Sequence, residues 1–109
     1  MQVRNPRIVL DEGRKRIDSL NETMIELLRM GARANSPVIR EMLKIRTDVA
    51  ATLGQAKREL GLPLIDEERE AQVVNGAVRK AAAIGVNEKR ARLLMVIAIK
   101  SARKAQEGM

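Results

Sequence analysis

Val38, Met42, Ile45, Val49, Leu53, Ala56 and Leu60 follow one another at intervals of four, three, four, four, three and four residues. An α-helix turns once in 3.6 residues, so this spacing returns every one of these side chains to one side of a helix. A seam sustained over that length is the mark of a helix packed along its whole course in a bundle. It is incompatible with a strand, whose side chains alternate at period two. No other stretch of the 109 residues alternates convincingly and none repeats internally. The predicted fold class is therefore all-α, an antiparallel helical bundle.

The breaks in the pattern divide one domain, residues 1–109, into four helices over about 11–30, 37–60, 67–84 and 88–106. Residues 1–9 read as a loose basic lead-in, with Pro6 marking where regular structure begins. The first helix carries Ile17, Leu20, Met24, Leu27 and Leu28 on one stripe, and Arg14 falls on the side of Leu10 and Ile17. An arginine there must snorkel outward or face a ligand. Gly31 suits a position just past a helix end, Ser36 an N-cap and Pro37 a first helical position. The third helix relies on Val73, Val74, Ala77, Val78 and Ala81, small residues that allow a close neighbour or line a cavity. Gly85 ends it, Asn87 caps the fourth, and Leu93, Leu94, Val96, Ile97 and Ile99 give that helix its apolar content.

Composition narrows the chemistry. Cys, His, Phe, Tyr and Trp are all absent. That removes thiolate chemistry, cysteine and histidine metal sites, the usual neutral-pH general base and the aromatic platforms on which single-stranded bases stack. The chain must act through Arg, Lys, Asp, Glu and amides, which favours binding and electrostatic stabilisation. Lys and Arg outnumber Asp and Glu by 21 to 14, and a net +7 points to small anions or nucleic acid as partners. No apolar run reaches the roughly 20 residues that span a bilayer, and the N-terminus lacks a signal peptide's apolar centre, so a cytoplasmic protein is expected.

The charged groups converge between Arg46 and Glu70. Arg46 and Lys57 are 11 residues apart, three turns on one helix face. Gly61-Leu62-Pro63 stops the helix, Asp66 caps the next, and Arg69 and Glu70 stand at its entrance. Several fixed cations around one carboxylate suit a small polyanion that carries a hydroxyl.

Arg14-Lys15-Arg16-Ile17, Ile45-Arg46, Leu53-Gly54-Gln55-Ala56-Lys57 and Gly61-Leu62-Pro63-Leu64-Ile65-Asp66-Glu67-Glu68-Arg69-Glu70 together resemble the all-helical chorismate mutases. The resemblance runs without a gap from Arg46 to Gln106. It implies a cofactor-free rearrangement of chorismate to prephenate, on the route to phenylalanine and tyrosine, with no metal and no membrane. It further implies that Arg14, Arg46, Lys57, Asp66, Arg69 and Glu70 bind the substrate. Of these, Arg14 would grip a carboxylate, Glu70 would accept from the ring hydroxyl and Asp66 would assist through its backbone amide. Lys57, Gln106 and Arg46 would be catalytic, Lys57 and Gln106 facing the ether oxygen.

Two positions depart from the family pattern. Ala102 stands where the family often has Ser or Asn. Arg14 and Arg46 are separated by 32 residues, about four helical turns more than usual, and the surplus falls at Gly31–Pro37. In the family an unbroken first helix gives its arginine to the partner's site in a homodimer. Here a loop centred between residues 33 and 34 would fold the first helix back and bring Arg14 level with residue 53 of its own chain, making a monomer with an intrachain site the alternative. Three other functions remain open at this level: an isochorismate pyruvate lyase-like enzyme, a small basic nucleic-acid binder, and a regulatory or inactive member of the family whose site Ala102 and the insertion disable.

Overall fold

In the computed structural model, which describes residues 4–108, Asn5 opens α1 (Pro6–Arg29), its side chain accepting from the Arg7 N–H at 2.8 Å. Pro6 takes the first helical position, where a missing N–H leaves nothing unpaired. The helix thus starts about one turn earlier than the apolar stripe predicts. The stripe cannot register that turn, because Asn5-Pro6 is a capping signal with no period. Of the lead-in expected over residues 1–9, residues 1–3 lie outside the described residues.

The remaining helices are α2 (Pro37–Glu59), α3 (Glu67–Ile84) and α4 (Glu88–Glu107), and there is no strand among the described residues. Asp66 caps α3 by accepting from the Arg69 N–H at 3.0 Å, and Asn87 caps α4 by accepting from Arg90 at 3.1 Å. Gly85 ends α3 in the left-handed conformation, φ 78°, which costs a glycine almost nothing. Ser36 behaves differently from the expected N-cap. Its hydroxyl accepts from the Arg33 N–H at 2.7 Å, closing the α1–α2 turn, and makes no cap bond to α2.

That turn folds α1 back antiparallel on α2. The six residues from Leu60 to Ile65 then carry the chain across the bundle, so α2 and α3 do not pack on each other. α1 and α4 sit between them, each touching both. Cross-helix pairs fix the directions: Asp18 with Arg69 and Glu26 with Lys80 run α1 parallel to α3, while Arg46 with Ala98 and Lys57 with Gln106 run α2 parallel to α4.

The core is in two parts. One gathers Met24, Ile25, Ile39, Ala77, Ala81, Val86, Ala91, Leu94 and Met95; the other holds Leu10, Ile17, Leu53 and Ala56. Buried polar side chains, Asn21, Arg46, Lys57 and Gln106, occur beside them. On α2 the deepest residues are Leu53 and Ala56 of the apolar seam together with Ile39, Arg46, Ala50 and Lys57, which lie one residue over from it, while Val38 of the seam is 47% exposed. On α4 the inward residues are Ala91, Leu94, Met95 and Ala98, while Leu93 and Ile97 face outward. On α2 alanines with Arg46 and Lys57 fill the crowded centre, and on α4 alanines share it with Leu94 and Met95, whereas hydropathy alone assigns the centre to every large apolar side chain.

Gly13 explains how closely α1 approaches. A Cβ placed there would stand 2.2 Å from Leu53 Cδ2, so a mid-helix glycine lets α1 lie against Leu53, the level at which the hairpin was expected to bring Arg14. Alanine in a helix interior is ordinarily favoured over glycine by about 1 kcal/mol. Gly13→Ala should nevertheless lower the thermal midpoint followed by circular dichroism at 222 nm, since overpacking typically costs about 1–3 kcal/mol. An increase in the midpoint would mean that Leu53 has room to move aside.

Candidate active site

Arg46 is the deepest of the charged groups, 4% exposed in the middle of α2. Its Nε donates to Asn21 Oδ1 of α1 at 2.8 Å and its Nη1 to the carbonyl of Ala98 in α4 at 3.2 Å. A guanidinium offers five N–H donors. Among the described residues no fully buried side-chain nitrogen or oxygen lacks a partner, so the unbonded Nη2 retains access to the adjoining cleft. Burial first, then repulsion from Arg69, pushes the Arg46 pKa down to about 10, with Asp18 acting the other way. It remains protonated at neutral pH, held by dipoles and awaiting an anion.

Three turns on, Lys57 comes off the same face and is also buried. Its Nζ donates to the carbonyl of Leu64 at 2.9 Å and to Gln106 Oε1 at 3.3 Å. An ammonium has three protons, so one stays free. Burial lowers the Lys57 pKa; Arg14 and Arg69 lower it further, against Asp66 and Glu70, which raise it. Because the amide oxygen of Gln106 faces Lys57, its NH₂ is left to donate elsewhere. Gly54 makes this possible, since a Cβ there would lie 2.9 Å from Gln106 Cγ and 3.2 Å from its Cα.

The Leu60–Ile65 crossing brings the start of α3 over these groups. Arg69 pairs with Asp18 of α1 at 2.7 Å. Glu70 is gripped through both oxygens by Arg103 of α4, whose Nε lies 2.8 Å from Glu70 Oε2 and whose Nη2 bonds Oε1. Arg14, Arg46, Lys57, Asp66, Arg69, Glu70 and Gln106 thus line one cleft of about 550 Å³, counted to its open mouth. Its walls include Ile17, Leu53, Val73 and Ile99, and Ala102 lines it where a hydroxyl or amide was noted as missing.

Every site residue singled out in the sequence faces this cleft. Sequence reasoning missed three others: Asn21, which holds Arg46; Asp18, which holds Arg69; and Arg103. Asn21 has a usable signal, being a polar residue four after Ile17 and three before Met24 on the buried stripe. Asp18 and Arg103 lie among solvated charges and have none.

The four-helix bundle sets fixed cations around a half-apolar cleft, an arrangement with the charge and shape to suit a small anion. A sequence model of the family chorismate mutase type II matches residues 38–107. The chain belongs to that family. Neither a comparison with curated proteins nor one with solved structures finds a match. The matched residues cover α2 to α4; α1, with Arg14, and the turn after it precede them. No helix among the described residues is long and apolar enough to cross a membrane.

The lowered pKa of Lys57 has a consequence for stability. A base whose pKa falls on folding is disfavoured in its charged form by the fold, so at neutral pH the protonated Lys57 is a burden that lifts only as pH rises through its folded pKa. Lys57→Met keeps the packing and deletes the charge. It should unfold in urea at a midpoint no lower than the parent's at pH 7; a clearly lower midpoint would show that the bonds to Leu64 and Gln106 outweigh the desolvation.

Proposed function

We propose that the chain is a chorismate mutase, rearranging chorismate to prephenate without a cofactor, and that a single chain supplies the whole site. The observation that carries this reading is the convergence of Arg14, Arg46, Lys57, Arg69, Glu70 and Gln106 on one cleft, together with membership of the family. Burial of Arg46 and Lys57 argues against nucleic acid as their ligand, because a duplex backbone cannot reach side chains at 4% and 8% exposure.

The reaction is an intramolecular [3,3] shift in which the ether C–O bond breaks as a C–C bond forms. It needs no nucleophile and no proton transfer, which fits a chain without Cys or His. The substrate is a flexible dianion that must be held in its compact reactive shape. Arg14 and Arg46 grip the two carboxylates, preferably through paired N–H bonds, and convert that search into a bound geometry. Glu70 accepts from the ring hydroxyl. As the C–O bond breaks, negative charge grows on the ether oxygen. The free proton of Lys57 and the NH₂ of Gln106 then bond it more strongly in the transition state than before, which is what raises the rate.

Arg14 reaches the cleft from α1 of its own chain, because the Gly31–Ser36 turn returns α1 along α2. The site then needs no partner subunit, and the protein works as a monomer.

Incubation with chorismate should consume its near-ultraviolet absorbance and yield prephenate, with no pyruvate released. Lys57→Met should lower kcat by about 10²–10³, and kcat/KM of the parent should fall on the alkaline side at a pH below the ordinary lysine value of 10.5, where the buried ammonium deprotonates. Pyruvate as product, or undiminished turnover by the variant, would reject the reading.

A second experiment addresses the single-chain site. Arg14→Ala and Lys57→Met proteins, each inactive, are mixed, unfolded and refolded together. A monomer gives no recovery. Activity approaching one quarter of the parent's, as when exchanged helices rebuild some sites, would establish that Arg14 acts in the partner.

A further inference from the structure

Glu70 stands in a difficult place. It projects from the first turns of α3 into a cleft that also holds Lys57, Arg69 and Arg14, and its charge is felt at Lys57. A flexible carboxylate in that position has an obvious destination, the nearby ammonium. A Lys57–Glu70 pair would be harmful to the chemistry proposed above: it would occupy the one Lys57 proton not already given to Leu64 and Gln106, and it would neutralise the charge that the ether oxygen needs.

The pair does not form. Among the described residues Lys57 bonds only Leu64 and Gln106, and both oxygens of Glu70 are turned instead to Arg103 on α4. A guanidinium fork matched to a carboxylate is the most directional of ion pairs. Each carboxylate oxygen has a second lone pair, so the clamped Glu70 keeps the capacity to accept from a hydroxyl. Arg103 lies one turn before Gln106 on α4 and lines the cleft beside Ala102. It also borders an apolar groove on the outer side, between α3 and α4, with Glu67, Ala71, Val74 and Val96. Glu70 lines that groove as well, so the Arg103–Glu70 clamp sits where the cleft opens between α3 and α4, and Lys57 does not line the groove.

We infer that Arg103 is a positioning residue, which holds Glu70 by both oxygens and so keeps that carboxylate off the ammonium of Lys57. The inference rests on the mutase reading for its catalytic meaning and on geometry alone for the separation of the two groups. Each part has its own readout.

The separation is read by NMR from the pH titration of the Lys57 side-chain ¹³Cε, in the parent, R103Q, E70Q and the double variant. Lys57 is faced by Arg14 from α1, by Asp66, Arg69 and Glu70 from α3 and its cap, and by the uncharged Gln106 from α4. R103Q frees Glu70 to reach Lys57 and should raise the Lys57 midpoint by about one pH unit, the effect of a carboxylate arriving within contact. In the E70Q background the same substitution should move it little. Equal shifts in both backgrounds would mean that Arg103 acts on Lys57 only through its own charge, and no shift in either would mean that Glu70 is held by something else; both overturn the inference. R103K, which keeps the charge but loses the fork, should lie between the parent and R103Q.

The catalytic part is read from turnover of chorismate. R103Q should lower kcat/KM roughly ten- to hundredfold with its alkaline limb displaced to higher pH, and should add almost nothing to the loss caused by E70Q. Independent, multiplying losses would assign Arg103 a role of its own. A parent protein that leaves chorismate untouched would reject the mutase reading, while the titration would still decide what Arg103 does to Glu70.

Discussion

Arg46 is a cation buried with no carboxylate of the described residues in contact, and much of the bundle is arranged around that fact. Its partners are the amide of Asn21 and the carbonyl of Ala98, so one side chain on α2 ties α1 to α4. Neutral oxygens satisfy the guanidinium's geometry without cancelling its charge. The result is a preorganised positive site whose desolvation has already been met by folding, so an arriving carboxylate finds a cation with little water to displace. An ion pair in the same place would have cancelled that charge.

The same logic runs through the cleft. Lys57 is bonded to a carbonyl and an amide oxygen, and Glu70, the carboxylate that could quench it, is turned away by Arg103. Arg69 does carry a counter-ion, Asp18, and both are partly exposed, where an ion pair is weak and readily exchanged. Arg46 and Lys57, the deep groups, therefore keep neutral partners, while the more exposed Arg69 and Glu70 are ion-paired. Glycine serves this arrangement twice, at Gly54, where α4 must approach closely enough for Gln106 to meet Lys57, and at Gly13, where α1 closes over Leu53.

The fold was legible because its signals are local. The seam on α2, the caps Asp66 and Asn87, and the glycines at 31 and 85 each act over a few residues, and every helix was found from them. What was misplaced was depth. Val38, Leu93 and Ile97 look like core and are exposed, whereas Arg46, Lys57 and Gln106 look like surface and are buried. Periodicity locates a face of a helix, but which of two adjacent lines on that face goes deepest depends on where the neighbouring helices stand. The charged residues that line the cleft were singled out through their spacing as a family motif. Asn21, Asp18 and Arg103 belong to no such motif and escaped.

Sequence alone was enough to establish that this chain is a helical bundle of four helices, where those helices break, and which charges lie on one face of α2 and at the entrance to α3, though it placed the start of α1 about a turn too late. Those are consequences of period, capping and turn chemistry, all of which operate between near neighbours. Only the tertiary structure decided that α1 returns along its own α2, that the buried cations are held by neutral oxygens, and that Arg103 takes Glu70. Each of these joins residues more than 20 positions apart, and no local rule distinguishes a charge that will be buried between three helices from one that will remain in water.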